Sequence, residues 1–545
     1  MNKVAHYLQE HVVGEVYASH DVREHFSTDA SIFKQAPAIV VYPRSENDVR
    51  KAVRFSWQLA ERGRVIPITA RGSGTDLTGA AIGSGIMLVF PAHMHKILEL
   101  DPKNGLVAVQ PGANFGKLQQ TLFTHGRFLP SFPASGEYST IGGAVANNAS
   151  GSKSYKYSDT LEYVRGLRVV LANGELIETG KLNKRELKAK LGLSGMEGEI
   201  YRQLDSLLEE YKETIKNYSP QAKTNIGYNV SAVRSKDGSF NLTPLLVGSQ
   251  GSLGVITEVV LDTETHNPET SLVMAGFDSI EACLQAIDEI KKMKFGPSEL
   301  DFVDRNLLEF ALATNPHVLK GYFNEAMPDI LLFAEFDDES IRLQRKVVKK
   351  FNKIVEKYGQ IVLESKQEEY IDRVRAVRDT AAGLLSHSES SYRAVPVIDD
   401  AAVPPEKLGA LIGEIRALMQ RYNQKQYGIW GHAGSSIVHA APFLDLSLVG
   451  DRQKVFKMLK EYYEIVMKLG GSLSGEHGDG RLRGHLLPMQ LDSSMIELCT
   501  KVKKIFDPHG IFNPGVKFDA TEEQSKAWMR NEYSIRKFAD HMPRS

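Results

Sequence analysis

The sequence predicts an α+β architecture in more than one domain, and three observations carry that prediction. Between Ala38 and Thr265, short β-rich runs (AIVVYP, VIPITA, GIMLVF, LVAVQPG) are interleaved with turns and helical stretches. After about His266 a second rhythm starts: SLVMAGF, a helix over 279–293, SELDFVD, then ILLFAEF and a long helix over 338–358. At 545 residues the chain is also too long for one core, so two or three domains are expected.

Residues 1–36 are polar with weak helical periodicity and are expected to form a leading helical arm. The segment SENDVRKAVRFSWQLAERG opens on a Ser–Asn–Asp cap region and should be a helix ending at Gly63. Asn104-Gly105, between ILELDP and LVAVQP, signals a hairpin. Residues 181–219 are charged and helical, and are expected to be a surface insertion with a solvated face. Leu408, Leu411, Ile412, Ile415, Leu418 and Met419 follow helical spacing and give the segment 404–422 one apolar stripe. YGIWGHAGSSIVHA reads as strand and 449–469 as helix, whereas 490–518 should return to the first domain. The expected units are an arm over 1–36, a ligand-binding domain over 37–265, a second domain over 266–489 and a helical segment over 490–545.

Two glycine-rich ribbons stand out. RGSGTDLTGAAIGSG (71–85) directly follows a strand-like run, and PASGEYSTIGGAVANNASG (133–151) carries four glycines and four alanines. Glycine admits unusual dihedrals and bare N–H groups, and small neighbours leave room, so a diphosphate held by backbone amides is the expected ligand. A tightly packed loop with no ligand satisfies the second ribbon taken alone. No GxGxxG stands between a strand and a helix with a suitably placed acid, which argues against a nicotinamide site.

ITARGSGTDLTG, PASGEYSTIGGAVANNASG and LVGSQGSLGVITEVVL (246–261) resemble, in words and order, the FAD-contacting segments of the flavoprotein family typified by vanillyl-alcohol oxidase. SGEHGDGRLR (474–483) and IFDPHGIFNPG (505–515) resemble the branch that holds the glycolate oxidase FAD subunit, FAD-linked D-lactate dehydrogenase and D-2-hydroxyglutarate dehydrogenase. The similarity runs from about Ala38 to Lys517. It implies a two-subdomain FAD-binding domain and a ferredoxin-like antiparallel-sheet cap domain. It assigns cofactor contacts to Arg71, Gly72, Ser73, Gly74, Thr75, Ser135, Thr140, Gly142, Gly143, Asn147, Asn148, Gly151, Val255, Ile256 and Asn513. Several relatives tether the flavin through a histidine in the first loop; Thr75 and Asp76 stand here, so FAD should be non-covalent.

The resemblance also implies a divalent metal, zinc before others, on His432, His439 and Glu476, with His477 as the base that removes a hydroxyl proton. Relatives write the histidine segment HxGDGNxxH or HxGDGNxH, whereas Ser435, Ser436 and Ile437 replace the Asp-Gly-Asn word here. On a flat strand, residues seven apart face opposite ways, so a bend at Gly434 and the serines is required. By spacing alone the two histidines are equally an ordinary pair. Arg378 is the expected clamp for a substrate carboxylate, although Arg373 and Arg375 beside it equally suit a solvated helix face. Asn513 equally suits an Asn-Pro turn.

The implied activity is oxidation of a small D-2-hydroxy acid, with electrons passing to a quinone, cytochrome, flavoprotein or iron–sulfur protein. Alternatives are an alkyl transferase resembling alkylglycerone-phosphate synthase and a non-catalytic FAD-binding subunit. A formal net charge of -1 gives no electrostatic case for nucleic acid. Cys283 and Cys499 fall on apolar helix faces and cannot hold a four-cysteine iron–sulfur cluster. The amino terminus has no signal-peptide core and no apolar run reaches about 18 residues, so a cytoplasmic protein is expected. The reading leaves room for peripheral contact with a membrane face and for a homodimer.

Overall fold

A computed structural model describes residues 3–314, 327–365 and 392–531. Two small sheets build the first domain. In one, Ile39–Tyr42, Ile86–Val89 and Ile68–Arg71 run parallel, which requires crossover connections, and the helix Glu46–Ala60 supplies one of them. That helix starts where expected: the Ser45 side chain accepts the Asp48 N–H, and Val49, Ala52 and Val53 face the core. The other sheet is antiparallel, in the order Ile97–Asp101, Leu106–Val109, Val255–Asp262, Val164–Val170, Leu176–Glu178. Its first pair is the hairpin read from Asn104-Gly105, with Gly105 at φ +70°.

The leading segment is more than an arm. Glu15–Tyr17 pairs antiparallel with Ile39–Tyr42, and Val4, Ala5 and Leu8 of the helix Lys3–His11 enter the core beneath that sheet. Three residues of strand are too few for a periodic signal, which is why the sequence hides them. The charged stretch after Lys181 is mixed as well. Lys184–Leu191 buries nothing, but Gly195–Glu210 buries Ile200, Tyr201, Leu204, Leu207 and Leu208 and packs against Ser493–Phe506.

In the second domain, every pairing among the described residues is antiparallel. The order is Gln360–Ser365, Ser271–Phe277, Ile330–Phe336, Glu299–Asp304, Tyr427–His432, Ile437–Leu444, with Arg393–Ala394 and Ile398–Ala402 both against Ile437–Leu444. Helices Ile280–Lys291, Ile341–Val355 and Leu408–Arg421 back it. All six apolar residues of the stripe on Leu408–Arg421 are buried, each stabilising the fold by about 1.5–3 kcal/mol. Cys283 and Cys499 are buried in their helices. The chain then returns to the first domain: Ile68 N–H donates to Ile511 O (2.7 Å), and Asn513 N–H donates to Ile68 O (2.9 Å). Among the described residues no helix is long and apolar enough to cross a membrane.

Candidate active site

A cavity of about 770 Å³ lies between the two domains, lined by residues 71–77, most of 133–143, Asn147, Ser150, Gln250, Gly254 and Ile256. Small-molecule sites span roughly 300–1,000 Å³. The two ribbons serve it differently. Among the described residues, the amides of 72–77 donate to no protein acceptor, and the buried Arg71 Nε has no partner. In the second ribbon Ile141 N–H bonds Ala113 O, Gly142 N–H bonds Pro111 O, and Gly143 N–H bonds the Thr140 hydroxyl. The first loop therefore offers free donors to a diphosphate, and the second, with these three amides taken, offers space and the unpartnered hydroxyl of buried Ser139. Space there is strict. A Cβ on Gly142 would lie 2.6 Å from the Pro111 Cβ, and one on Gly72 would lie 2.2 Å from the Thr140 Oγ1. These features fit FAD.

Of the expected cofactor contacts, Arg71, Gly72, Ser73, Gly74, Thr75, Ser135, Thr140, Gly142, Gly143, Asn147 and Ile256 line this cavity. The rest stand behind its wall. Val255 is buried opposite Val170. Asn148, at φ +51°, ends its helix and accepts the Leu161 N–H. A Cβ on Gly151 would lie 1.9 Å from the Phe132 carbonyl oxygen. Asn513 ties segments together: its Nδ2 donates to Ala80 O (2.7 Å) and Gln250 O (2.9 Å), and its Oδ1 accepts from Thr69 and Arg481.

At one end of the same cavity stand His432, His439, Glu476 and His477. The required bend between the first two is a complete hairpin. Tyr427–His432 and Ile437–Leu444 are adjacent antiparallel strands in which Trp430 faces His439, so His432 is the diagonal neighbour of His439 on one face. Ser436 turns the chain at φ +57°. A Cβ on Gly434 would strike the Tyr155 ring at 2.4 Å. Glu476 Oε1 lies 3.5 Å from His432 Nε2, 3.2 Å from His439 Nε2 and 3.4 Å from His477 Nε2. Tetrahedral zinc with bonds of about 2.0–2.1 Å sets its ligand atoms about 3.3 Å apart, so the distance from Glu476 to each imidazole fits such an ion.

Each imidazole is held through its other nitrogen. His432 Nδ1 meets Asp301 Oδ1 at 2.7 Å, while His439 and His477 share Asp399, at 2.8 and 2.6 Å. The Glu476 Oε2 accepts the Ser150 hydroxyl (2.6 Å) from the first domain. The ligand atoms that all lie within 4.8 Å of one another belong to Asp400, His439, Glu476 and His477, a set without His432, but the Asp400 oxygens are taken by the N–H groups of Gly475, Glu476 and His477 and by the Ser474 hydroxyl. Asp400 fastens the loop and is not free to ligate. Burial alone would depress the three imidazoles, yet Asp301, Asp399, Asp400 and Glu476 hold them above the ordinary histidine value. Burial would raise Glu476, and the histidines around it hold it well below the carboxylate range. A divalent cation seated there would displace the protons this cluster otherwise holds.

Arg378 lies outside the described residues. Asp301, Asp399 and Asp400 escaped the sequence reading. SELDFVD and VPVIDDAAV look like strands, and their only hint is acids placed where a buried strand wants apolar residues. A second cavity, of about 910 Å³, adjoins the first at His432 and is lined by Trp430, Lys153 and Asp301 among others.

Residues 37–180 match the family model described as "FAD binding domain", and residues 266–516 match "FAD linked oxidases, C-terminal domain". Among curated relatives, D-2-hydroxyglutarate dehydrogenase of Haemophilus influenzae is 30% identical over 93% of this chain and 50% of its own length. The chain thus spans about half the length of that relative. The glycolate oxidase subunit GlcD of Bacillus subtilis is 28% identical over 90% of this chain and 92% of its own. Among solved structures, 4-ethylphenol oxidase from Gulosibacter chungangensis superposes with a TM-score of 0.68 at 15% identity, covering 96% of this chain and 98% of that one. An alkyldihydroxyacetonephosphate synthase gives 0.63 at 16%, covering 94% and 84%. At those identities the structural likeness speaks for the fold alone.

Proposed function

The chain belongs to the FAD-linked oxidases, and from that premise we propose that it oxidises a D-2-hydroxy acid of the lactate, glycolate or 2-hydroxyglutarate class to the 2-oxo acid. The observation that carries the proposal is the convergence of three imidazole Nε2 atoms on Glu476 at the end of a cavity suited to FAD. Non-covalent FAD, when bound, accepts the hydride from the substrate carbon, and a divalent metal, zinc first, makes the substrate hydroxyl more acidic.

This chain's residues supply the rest. His432, His439 and Glu476 would hold the metal. His477 Nε2 would take the hydroxyl proton, so the substrate loses one hydride and one proton in total. His477 is the most exposed of the four, with a quarter of its side chain accessible against 5% for His439, which suits the member that must meet substrate. Arg378 remains the candidate carboxylate clamp. The electron acceptor that this reading implies is a quinone, cytochrome, flavoprotein or iron–sulfur protein.

The test is an anaerobic titration of the purified yellow protein with D- and L-2-hydroxy acids, followed by flavin absorbance, with and without a chelator. Bleaching by one D-acid, lost with chelator and regained with zinc, is the expected result. A yellow protein that bleaches with none of the acids overturns the proposal.

A further inference from the structure

Asp399 stands between two rings that the proposed reaction uses for different purposes. Its Oδ1 lies 2.8 Å from His439 Nδ1 and its Oδ2 lies 2.6 Å from His477 Nδ1. The two rings are stacked, with centroids 5.2 Å apart and planes 29° from parallel. A carboxylate only accepts hydrogen bonds, so at both contacts the ring nitrogen must be the donor. Nδ1 then carries a hydrogen in each ring, and once a divalent cation has displaced the protons held on the Glu476 side, Nε2 is the nitrogen left with its lone pair toward the cavity.

We propose that Asp399 is a positioning residue that locks His439 and His477 together in the Nδ1–H form, so that one carboxylate orients both a metal ligand and the proton acceptor. The proposal rests on the oxidase reading given above.

The surroundings of Asp399 support this role. Its carbonyl oxygen accepts the Tyr463 hydroxyl (2.9 Å) and Arg483 Nη2 (3.1 Å), and Arg483 is wholly buried. The next residue, Asp400, grips the backbone of 475–477. Consecutive acids thus fix the same loop twice, one through its amides and one through its side chain. His432 meets a different carboxylate, Asp301, so of the three rings Asp399 holds the two with divided duties. Any change at Asp399 must disturb both duties at once.

The test uses the full-length holoenzyme with zinc. Nitrogen-15 spectra of histidine-labelled wild type should show Nδ1–H in both His439 and His477; an Nε2–H form in either ring overturns the proposal without any variant. In Asp399→Asn, the new amide can donate to one Nδ1 and push that ring's hydrogen onto Nε2. Zinc affinity, read by chelator competition, should fall roughly 10–100-fold. At saturating zinc, anaerobic flavin reduction should still be at least about tenfold slower. A variant with wild-type affinity and rate overturns the proposal while the oxidase reading stands. A wild type that neither binds zinc nor bleaches overturns that reading instead. If Asp399→Asn fails to fold, the wild-type spectra decide the matter.

Discussion

His477 and His439 differ little in their contacts, since both give Nδ1 to Asp399 and both point Nε2 at Glu476. They differ in access. His439 is 4% exposed and sits on a strand that is buried throughout, whereas His477 sits on a loop between Gly475 and Gly478. A ligand benefits from burial, and a proton acceptor must reach substrate. His477→Gln should therefore keep the yellow colour and bind zinc, yet reduce its flavin roughly 10²–10⁴-fold more slowly. Anaerobic stopped-flow absorbance reads this directly. A variant that loses zinc instead would make His477 a ligand. The four cluster residues were legible in the sequence because short words such as SGEHG carry them. The carboxylates behind them were not: Asp301 meets His432 across 131 residues of chain, and no local pattern encodes that meeting.

The elements that present these side chains are bent in places ordinary residues resist. Gln250, Asp400, Ser436 and Asn513 all have positive φ, and all border the cluster or the cavity. Such backbone costs of order 1–3 kcal/mol per residue and persists where surrounding contacts fix it. At Asp400 those contacts are three backbone amides and a hydroxyl. The periodic elements, such as the helix Leu408–Arg421, were readable from apolar spacing alone. The hairpin was legible only as a bend at Gly434 and the serines, because AGSS carries no Asn-Gly signal and the run otherwise looks like one strand.

The same sheet holds a pH-sensitive anchor. Asp304 accepts the N–H of Leu307 (3.0 Å) at the start of the helix Arg305–Thr314 and the N–H of Ile429 (3.1 Å) from the hairpin strand. Burial pushes its carboxyl up to about 7, against the lowering effect of those amides and of Arg416. A raised folded value means the fold favours the protonated acid. That stabilisation is complete below about pH 4, the unfolded value, and fades as pH rises through 7. Asp304→Asn keeps a carbonyl oxygen for both amides and cannot ionise. Its melting temperature should fall less between pH 4 and 7 than that of the wild type in matched calorimetric scans. Identical slopes would show that Asp304 is ionised throughout.

On the scale of the whole molecule, the site exists only because two domains meet. The first domain lends the cavity walls and the Ser150 hydroxyl, and the second lends the hairpin, Asp399 and the loop with Glu476 and His477. Lys153 crosses between them to Glu335 (2.8 Å) and Asp337 (3.1 Å), with Lys156 on Asp337 as well. Both acids are nearly buried, and the two lysines offset their charge at the joint. Domain order could be read from the change of rhythm near His266, but this docking could not, since it pairs residues some 180 positions apart.

The central claim is that this meeting builds a metal centre beside the flavin. An anomalous difference map from a crystal of the FAD-loaded protein grown with zinc tests it most directly. The account predicts one peak about 2.0–2.2 Å from His432 Nε2, His439 Nε2 and a Glu476 oxygen, with no bond to His477. No peak among these residues, or one ligated by His477 in place of His432 or His439, would contradict it.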